Sequence, residues 1–184
     1  MSDTIREMIV LGESEYLEFK ASFGKEVIEA LCAFANHKGG VVLVGVDDSG
    51  KVVGVTCGQE SIQSWVNQVK QSTTPSIIPD VELVTLDGKQ VAAIRIGEFP
   101  VKPVACRDRY FKRIANSNHR LSLTEIANLH LQSLQFSWDA YMDARSTLTD
   151  LDKSKILMFL QRVSEGGRTR VEGEWQTYWG NWAI

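Results

Sequence analysis

The amino-acid sequence predicts an α+β fold: a mixed sheet with several hairpins packed against helices, followed by a C-terminal helical extension. Three observations carry that expectation. Stretches of period-two alternation are joined by tight-turn dipeptides, Asp87-Gly88 above all. Segments with apolar residues every three or four positions are interspersed among these hairpins, which disfavours a doubly wound parallel sheet. The apolar run VVLVGV at 41–46 has the character of a strand buried on both faces.

Taken in order, Thr4 and Glu7 have the spacing of a capping box, and Ile5, Met8 and Ile9 form a short apolar stripe. A short helix ending near Gly12 is expected. Residues 16–20 alternate, with Leu17 and Phe19 inward and Glu18 and Lys20 on the other face. Over 25–36, Val27, Ile28, Leu31, Phe34 and Ala35 recur at helical spacing, and Gly39-Gly40 closes the segment. After the apolar run, Asp47-Asp48-Ser49-Gly50 makes a turn and 51–55 is expected to return as a hairpin arm. Residues 61–71 read as a helix, broken by Pro75 and Pro79. Residues 81–86 and 90–96 flank the Asp87-Gly88 turn, and 101–106 with 110–114 are expected as another strand pair. Ser122 and Glu125 form a second capping box, opening a helix to about Leu131.

Two regions follow from this pass: a domain over 1–133, and a second part over 134–184 holding a connector, an amphipathic helix at 149–163 and a tail with Trp175, Trp179 and Trp182. The totals exclude several classes. Twenty Lys and Arg against 23 Asp and Glu give a net charge of −3, which does not advertise nucleic-acid binding but leaves room for a basic face. No apolar run approaches the roughly 18 residues of a membrane span, and the opening MSDTIREMIV lacks a signal-peptide pattern. Cys32, Cys57 and Cys106 are odd in number and scattered, which suits reduced thiols in a cytoplasmic protein. Neither phosphate-loop spacing nor a dinucleotide-binding fingerprint occurs, and the three histidines lack metal-ligand spacing.

Two constellations carry chemistry. Glu13, Glu18 and Asp47 come from three segments able to converge, and convergent carboxylates bind Mg²⁺ or Mn²⁺ and activate water on a phosphodiester. The same residues also fit plainer roles, Glu18 pairing with Lys20 and Asp47 or Asp48 shaping the turn. The second constellation is basic: Lys102, Arg107, Arg109, Lys112, Arg113 and Arg120, with only Asp108 opposing and Tyr110 and Phe111 among them. On a strand, Arg109, Phe111 and Arg113 share one face, and Tyr110 and Lys112 the other. Cations beside aromatics suit a phosphate backbone with exposed bases, and Asn118 adds a short polar donor. A solvated face whose aromatics belong to the core fits the same pattern.

ESEYLEFK, CAFANHKGG, LVGVDDSGKVVGV and YFKRIANSNHRLS, in that order, resemble the Schlafen-type AlbA-like domain over about residues 13–131. The resemblance implies an α+β nucleic-acid-binding domain, of the kind assigned to DNA binding or transcriptional regulation in bacteria. Some relatives cut structured RNA, and for them the resemblance implies an Mg- or Mn-dependent endoribonuclease whose catalytic and metal-binding carboxylates match Glu13, Glu18 and Asp47. It implies a homodimer as well, because relatives build their groove from paired lobes; an exposed strand edge and the tryptophan tail would serve a protein-interaction role. Two positions depart from the family pattern. His37 replaces a small polar residue, and Ala115 stands where glycine is usual after the arginine-bearing strand.

Overall fold

In chain order the protein forms α1 (Ser2–Leu11), β1 (Leu17–Lys20), α2 (Lys25–Ala35), β2 (Gly40–Val44), α3 (Gln59–Ser72), β3 (Thr73–Thr74), β4 (Asp80–Leu86), β5 (Lys89–Ile96), β6 (Ala105–Cys106), β7 (Arg109–Ile114), β8 (Ser117–Arg120), α4 (Leu123–Ser133) and α5 (Lys153–Glu165). The computed structural model describes residues 2–134 and 152–165. The chain divides into two units, Met1–Trp138 and Asp139–Ile184, of which the first holds every strand named above.

That unit contains two four-stranded sheets, ordered β1-β2-β5-β4 and β3-β6-β7-β8. Among the described strands only β1 and β2 pair in parallel, Leu17 against Val41 through Lys20 against Val44. A parallel pair needs a crossover, and α2 supplies it. This helix is apolar nearly all round, so it must be covered on more than one side. From Val27 to Ala35 every residue except Glu29 is buried. One side packs on Val42, Val44, Ala92 and Ile94 of the first sheet, and another on Cys106 and Phe111 of the second. The far face of the first sheet has a core of its own, where Ile5 of α1 meets Leu17, Phe19, Leu43, Val84 and Leu86.

Close packing dictates the end of α2. Gly39 has φ +81°, and a Cβ there would lie 2.8 Å from the Ile96 carbonyl oxygen. At Gly40 a Cβ would meet the Phe34 ring at 2.6 Å. Asn36, fully buried at the C-cap, joins the helix to the second sheet. Its Nδ2 donates to the Val104 and Phe111 carbonyls, both at 2.8 Å, and its Oδ1 accepts from the Val104 amide at 2.6 Å. Every strong donor and acceptor of that amide is used, as burial requires.

The α+β class expected from the sequence is what the chain adopts, and several details differ. α1 starts at Ser2, so Thr4 lies inside the helix instead of capping it. The expected arm at 51–55 reduces to one bridge, Val46 to Val52. The left-handed glycines Gly45 and Gly54 turn the chain away, and the Val55 amide bonds Gln90 instead. Only Ala105 and Cys106 of the expected strand at 101–106 pair, because proline interrupts that segment and Asn36 occupies the Val104 amide. β8 was not expected, since Ser-Asn-His-Arg has little strand propensity. The second capping box is present as read, Ser122 Oγ accepting from the Glu125 amide and the Glu125 carboxylate from the Ser122 amide.

In the second unit, α5 exposes Leu157, Met158 and Phe159. The connector and the tail with Trp175, Trp179 and Trp182 lie outside the described residues, so the interaction role expected of that tail does too. No helix among the described residues is long and apolar enough to cross a membrane.

Candidate nucleic-acid interface

The exposed cations expected from the sequence are held by two successive hairpins. β6 and β7 join through Arg107-Asp108, with φ of 48° and 62°. Two left-handed central residues are what a two-residue hairpin turn demands, and non-glycine residues hold them at some cost. The Arg107 amide donates to the Ser72 carbonyl at 3.0 Å, which ties this turn to the end of α3. The Arg107 and Arg109 side chains are left in solvent at the tip.

Along β7 the faces alternate. Phe111 and Arg113 turn inward, while Tyr110 and Lys112 are half-buried on the other side. Register sets Lys112 opposite His119 and Phe111 opposite the exposed Arg120. Two carboxylates share this neighbourhood, Asp108 in the first turn and Glu125 at the start of α4. Glu125 is held below the usual glutamate range by its Ser122 hydroxyl and amide partners first, with lesser help from Lys112 and His119. The patch therefore carries Arg107, Arg109 and Arg120 in the open and Lys112 half-buried, offset by the exposed Asp108 of the first turn and by Glu125.

Arg113 does not belong to that patch, which corrects the sequence expectation. It is 1% exposed, the bulkiest fully buried side chain among the described residues. Its Nε and Nη2 donate to the Ser14 carbonyl at 3.1 and 2.9 Å, and Nη2 also to the Leu17 carbonyl at 3.2 Å. Its guanidinium carbon stands 5.0 Å from the centre of the Phe34 ring. Asn118 is corrected with it: its Oδ1 accepts from Arg113 Nη1 at 2.9 Å and so positions the arginine. Every N–H direction of the fork faces protein, leaving nothing for a phosphate.

The three carboxylates are also dispersed into separate tasks. Glu13 Oε1 accepts from the Phe19 amide at 2.9 Å and braces the approach to β1. Glu18, expected on an outer face, is 6% exposed because the second sheet covers it. Its Oε1 lies 2.7 Å from Lys20 Nζ and its Oε2 2.6 Å from Arg113 Nη1. The arginine contact is close without being an aligned hydrogen bond, so its strength is ionic rather than directional. Asp47 Oδ1 accepts from the Ser49 amide at 3.0 Å, the Ser49 hydroxyl at 2.6 Å and the Lys51 amide at 3.0 Å, closing its own turn. These bonds, the Ser49 hydroxyl foremost, hold its carboxyl below the usual aspartate range.

The aspartate facing this cluster is Asp48, 3.9 Å from Lys20 Nζ. Burial works to lower the Lys20 pKa, but Glu18, Glu13 and Asp48 together outweigh it and hold the ammonium above the ordinary lysine value. Oxygen donors are the right chemistry for a hard divalent cation. As placed, however, Glu13, Glu18 and Asp47 do not fit one ion: Glu18 already answers two protein cations, and Asp47 is turned into its loop. No group of three or more His, Cys, Asp or Glu among the described residues is placed to hold a metal.

The signal for the arginine's true role was available in part. Arg113 shares its strand face with Phe111, and an inward aromatic neighbour predicts an inward arginine. Asn36 and the Ser14 carbonyl had no signal, because their partners are distant in sequence.

The family described as Schlafen, AlbA_2 matches residues 13–122, well over half of the chain. The chain belongs to the Schlafen AlbA_2 family. The match spans β1 through β8, so both hairpins and the buried Glu18–Arg113 pair lie within the family domain. A solved structure agrees on the fold. The DIP2311 protein from Corynebacterium diphtheriae superposes with a TM-score of 0.55 at 18% identity, over 84% of this chain and 30% of that one. The N-terminal domain of a protein described as ATP-dependent DNA helicase RecG-related, from Nitrosomonas europaea, gives a TM-score of 0.48 at 26% identity. That match covers 66% of this chain and 93% of the domain. This Schlafen AlbA_2 chain thus spans under a third of the Corynebacterium protein's length.

Proposed function

We propose that this chain is a cytoplasmic nucleic-acid-binding module that holds a phosphate backbone on Arg107, Arg109, Lys112 and Arg120. The observation that carries the reading is the pair of hairpins, β6-β7 and β7-β8, which carry these four cations on adjoining strands, Arg109 and Arg120 on the Phe111 face and Lys112 on the Tyr110 face, in a chain of net charge −3. The paired strands fix the backbone positions from which these side chains reach out. Membership of the Schlafen AlbA_2 family supports the same reading. The chemistry gives positioning without base readout, since guanidinium and ammonium groups on phosphates carry no sequence information. A regulatory role in transcription would need a further source of specificity.

The test is binding of labelled duplex DNA and structured RNA across a salt series. Affinity should fall steeply with added salt, with the slope counting the phosphates engaged. The Arg107→Ala/Arg109→Ala variant should flatten that slope by roughly two contacts while leaving stability within about 0.5 kcal/mol, because both side chains are exposed. Salt-insensitive binding, or a slope unchanged in the variant, would sink the reading. Running the series with Mn²⁺ and with EDTA tests the endoribonuclease alternative alongside. Metal-dependent cleavage lost in a Glu13→Ala/Glu18→Ala/Asp47→Ala variant would move those carboxylates from architecture to catalysis.

A further inference from the structure

Beside the cationic hairpins lies a cleft of about 380 Å³ that the phosphate contacts do not use. Its apolar lining is Pro75, Val101, Pro103, Tyr110, Leu123 and Ile126, joined by the exposed Ala127 of α4 and by the polar Lys102 and His130. The volume falls within the roughly 300–1,000 Å³ of small-ligand clefts. Tyr110 is half-buried there, and its hydroxyl makes no hydrogen bond among the described residues. Leu123, at the mouth, is 83% exposed, and Val101 is 45% exposed. Together with the other apolar side chains of the cleft they form one contiguous apolar lining open to solvent.

Strand geometry narrows the chemistry of an occupant. Tyr110 and Lys112 are two residues apart on the same face of β7, and Lys112 stands opposite His119 of β8. An aromatic slot is thus set one step along the strand from an ammonium, with an imidazole beside it. A single-stranded nucleic acid has that same repeat: a flat base with a π-face, attached to an anionic phosphate. Glu125 lies near Lys112 and His119 and opposes phosphate there, so the apolar slot must supply much of the attraction.

We propose that this cleft takes one unstacked base of a single-stranded nucleic acid, packed against Tyr110, while Lys112 holds the adjoining phosphate. The inference rests on the nucleic-acid reading above and names its ligand class. A duplex keeps its bases stacked inside, so it would engage the cations alone. Single strands should therefore bind more tightly than duplexes offering the same number of phosphates.

The experiment uses the full chain, a fluorescent single-stranded oligonucleotide carrying 2-aminopurine, and a duplex of matched phosphate number. Ala127→Phe fills the cleft without changing charge at an exposed helical position. Leu123→Ser serves as a second variant at the mouth should the first not fold. The expected result is a loss of roughly 5- to 150-fold in single-strand affinity, the size of one base stack. Duplex affinity should hold, and the 2-aminopurine signal seen with the unmodified chain should vanish. Equal single-strand affinity in both proteins, with duplex binding intact, overturns this inference and leaves the phosphate reading standing. Absence of binding to either nucleic acid overturns both. A variant that changes oligomeric state on gel filtration but not oligonucleotide affinity would make the cleft a protein contact, and the proposal would fall.

Discussion

Arg113 of β7 and Glu18 of β1 meet in the interior, Nη1 to Oε2 at 2.6 Å, and so link strands of the two sheets. Their exposures of 1% and 6% leave water little part in solvating either charge. A pair this deep is costly to form, and its removal from one side is worse, since the survivor stays buried and uncompensated. Arg113→Met should cost about 3–5 kcal/mol in denaturant-induced unfolding. The Arg113→Met/Glu18→Leu double variant should cost less than the sum of the two single changes. Additive losses would mean that Arg113 acts through the Ser14 and Leu17 carbonyls alone.

Asn36 is the polar counterpart of that link. Replacing it with leucine strands the Val104 amide and the Val104 and Phe111 carbonyls without partners. Each orphan costs about 1–3 kcal/mol, so Asn36→Leu should lose at least about 3 kcal/mol despite its added apolar bulk. Asn36→Asp keeps the acceptor but sets a buried carboxylate oxygen against both carbonyls, and should cost at least as much as Asn36→Leu. Equilibrium unfolding orders the three proteins; equal stability of Asn36→Leu and the parent would refute the account.

Ala115 is a site of gain. It sits at φ 52° in the turn between β7 and β8, a conformation in which its Cβ crowds the following carbonyl. Ala115→Gly removes that strain but frees the unfolded chain, and the net should be about 0.5–1 kcal/mol of added stability. A lower thermal midpoint in the glycine variant would contradict this.

Asp47 sets an acid limit on its turn. Its folded pKa lies below the ordinary value, so its contribution is present above about pH 3.9 and fades as pH falls through the lower folded value. Asp47→Asn keeps an acceptor oxygen that does not titrate. The parent should therefore lose more stability than Asp47→Asn between about pH 5 and pH 2. Parallel losses in urea titrations at the two pH values would show that the turn contributes nothing to acid sensitivity.

Much of the fold was legible because its strongest elements carry a local signal. α2 shows its apolar face at helical spacing, Asp87-Gly88 declares its hairpin, and Ser122 with Glu125 opens α4 as read. What could not be read was decided across the chain. β8 forms because Phe111 through Ile114 offer a free edge, not because Ser-Asn-His-Arg favours a strand. Glu18 looked solvent-facing by alternation until a second sheet covered it. The site split the same way: exposure of Arg107, Arg109 and Arg120 follows from charge alone, whereas burial of Arg113 depends on acceptors in the Ser14 and Leu17 backbone.

Because Asn36 and Arg113 bind the sheets to one another through a shared helix, neither sheet has an independent route to opening. Amide protons in β1 and β2 should exchange with deuterium on the same slow clock as those in β7. A strand of nucleic acid seated on the hairpins would then lengthen that clock everywhere in the domain, reporting its arrival at amides it never touches.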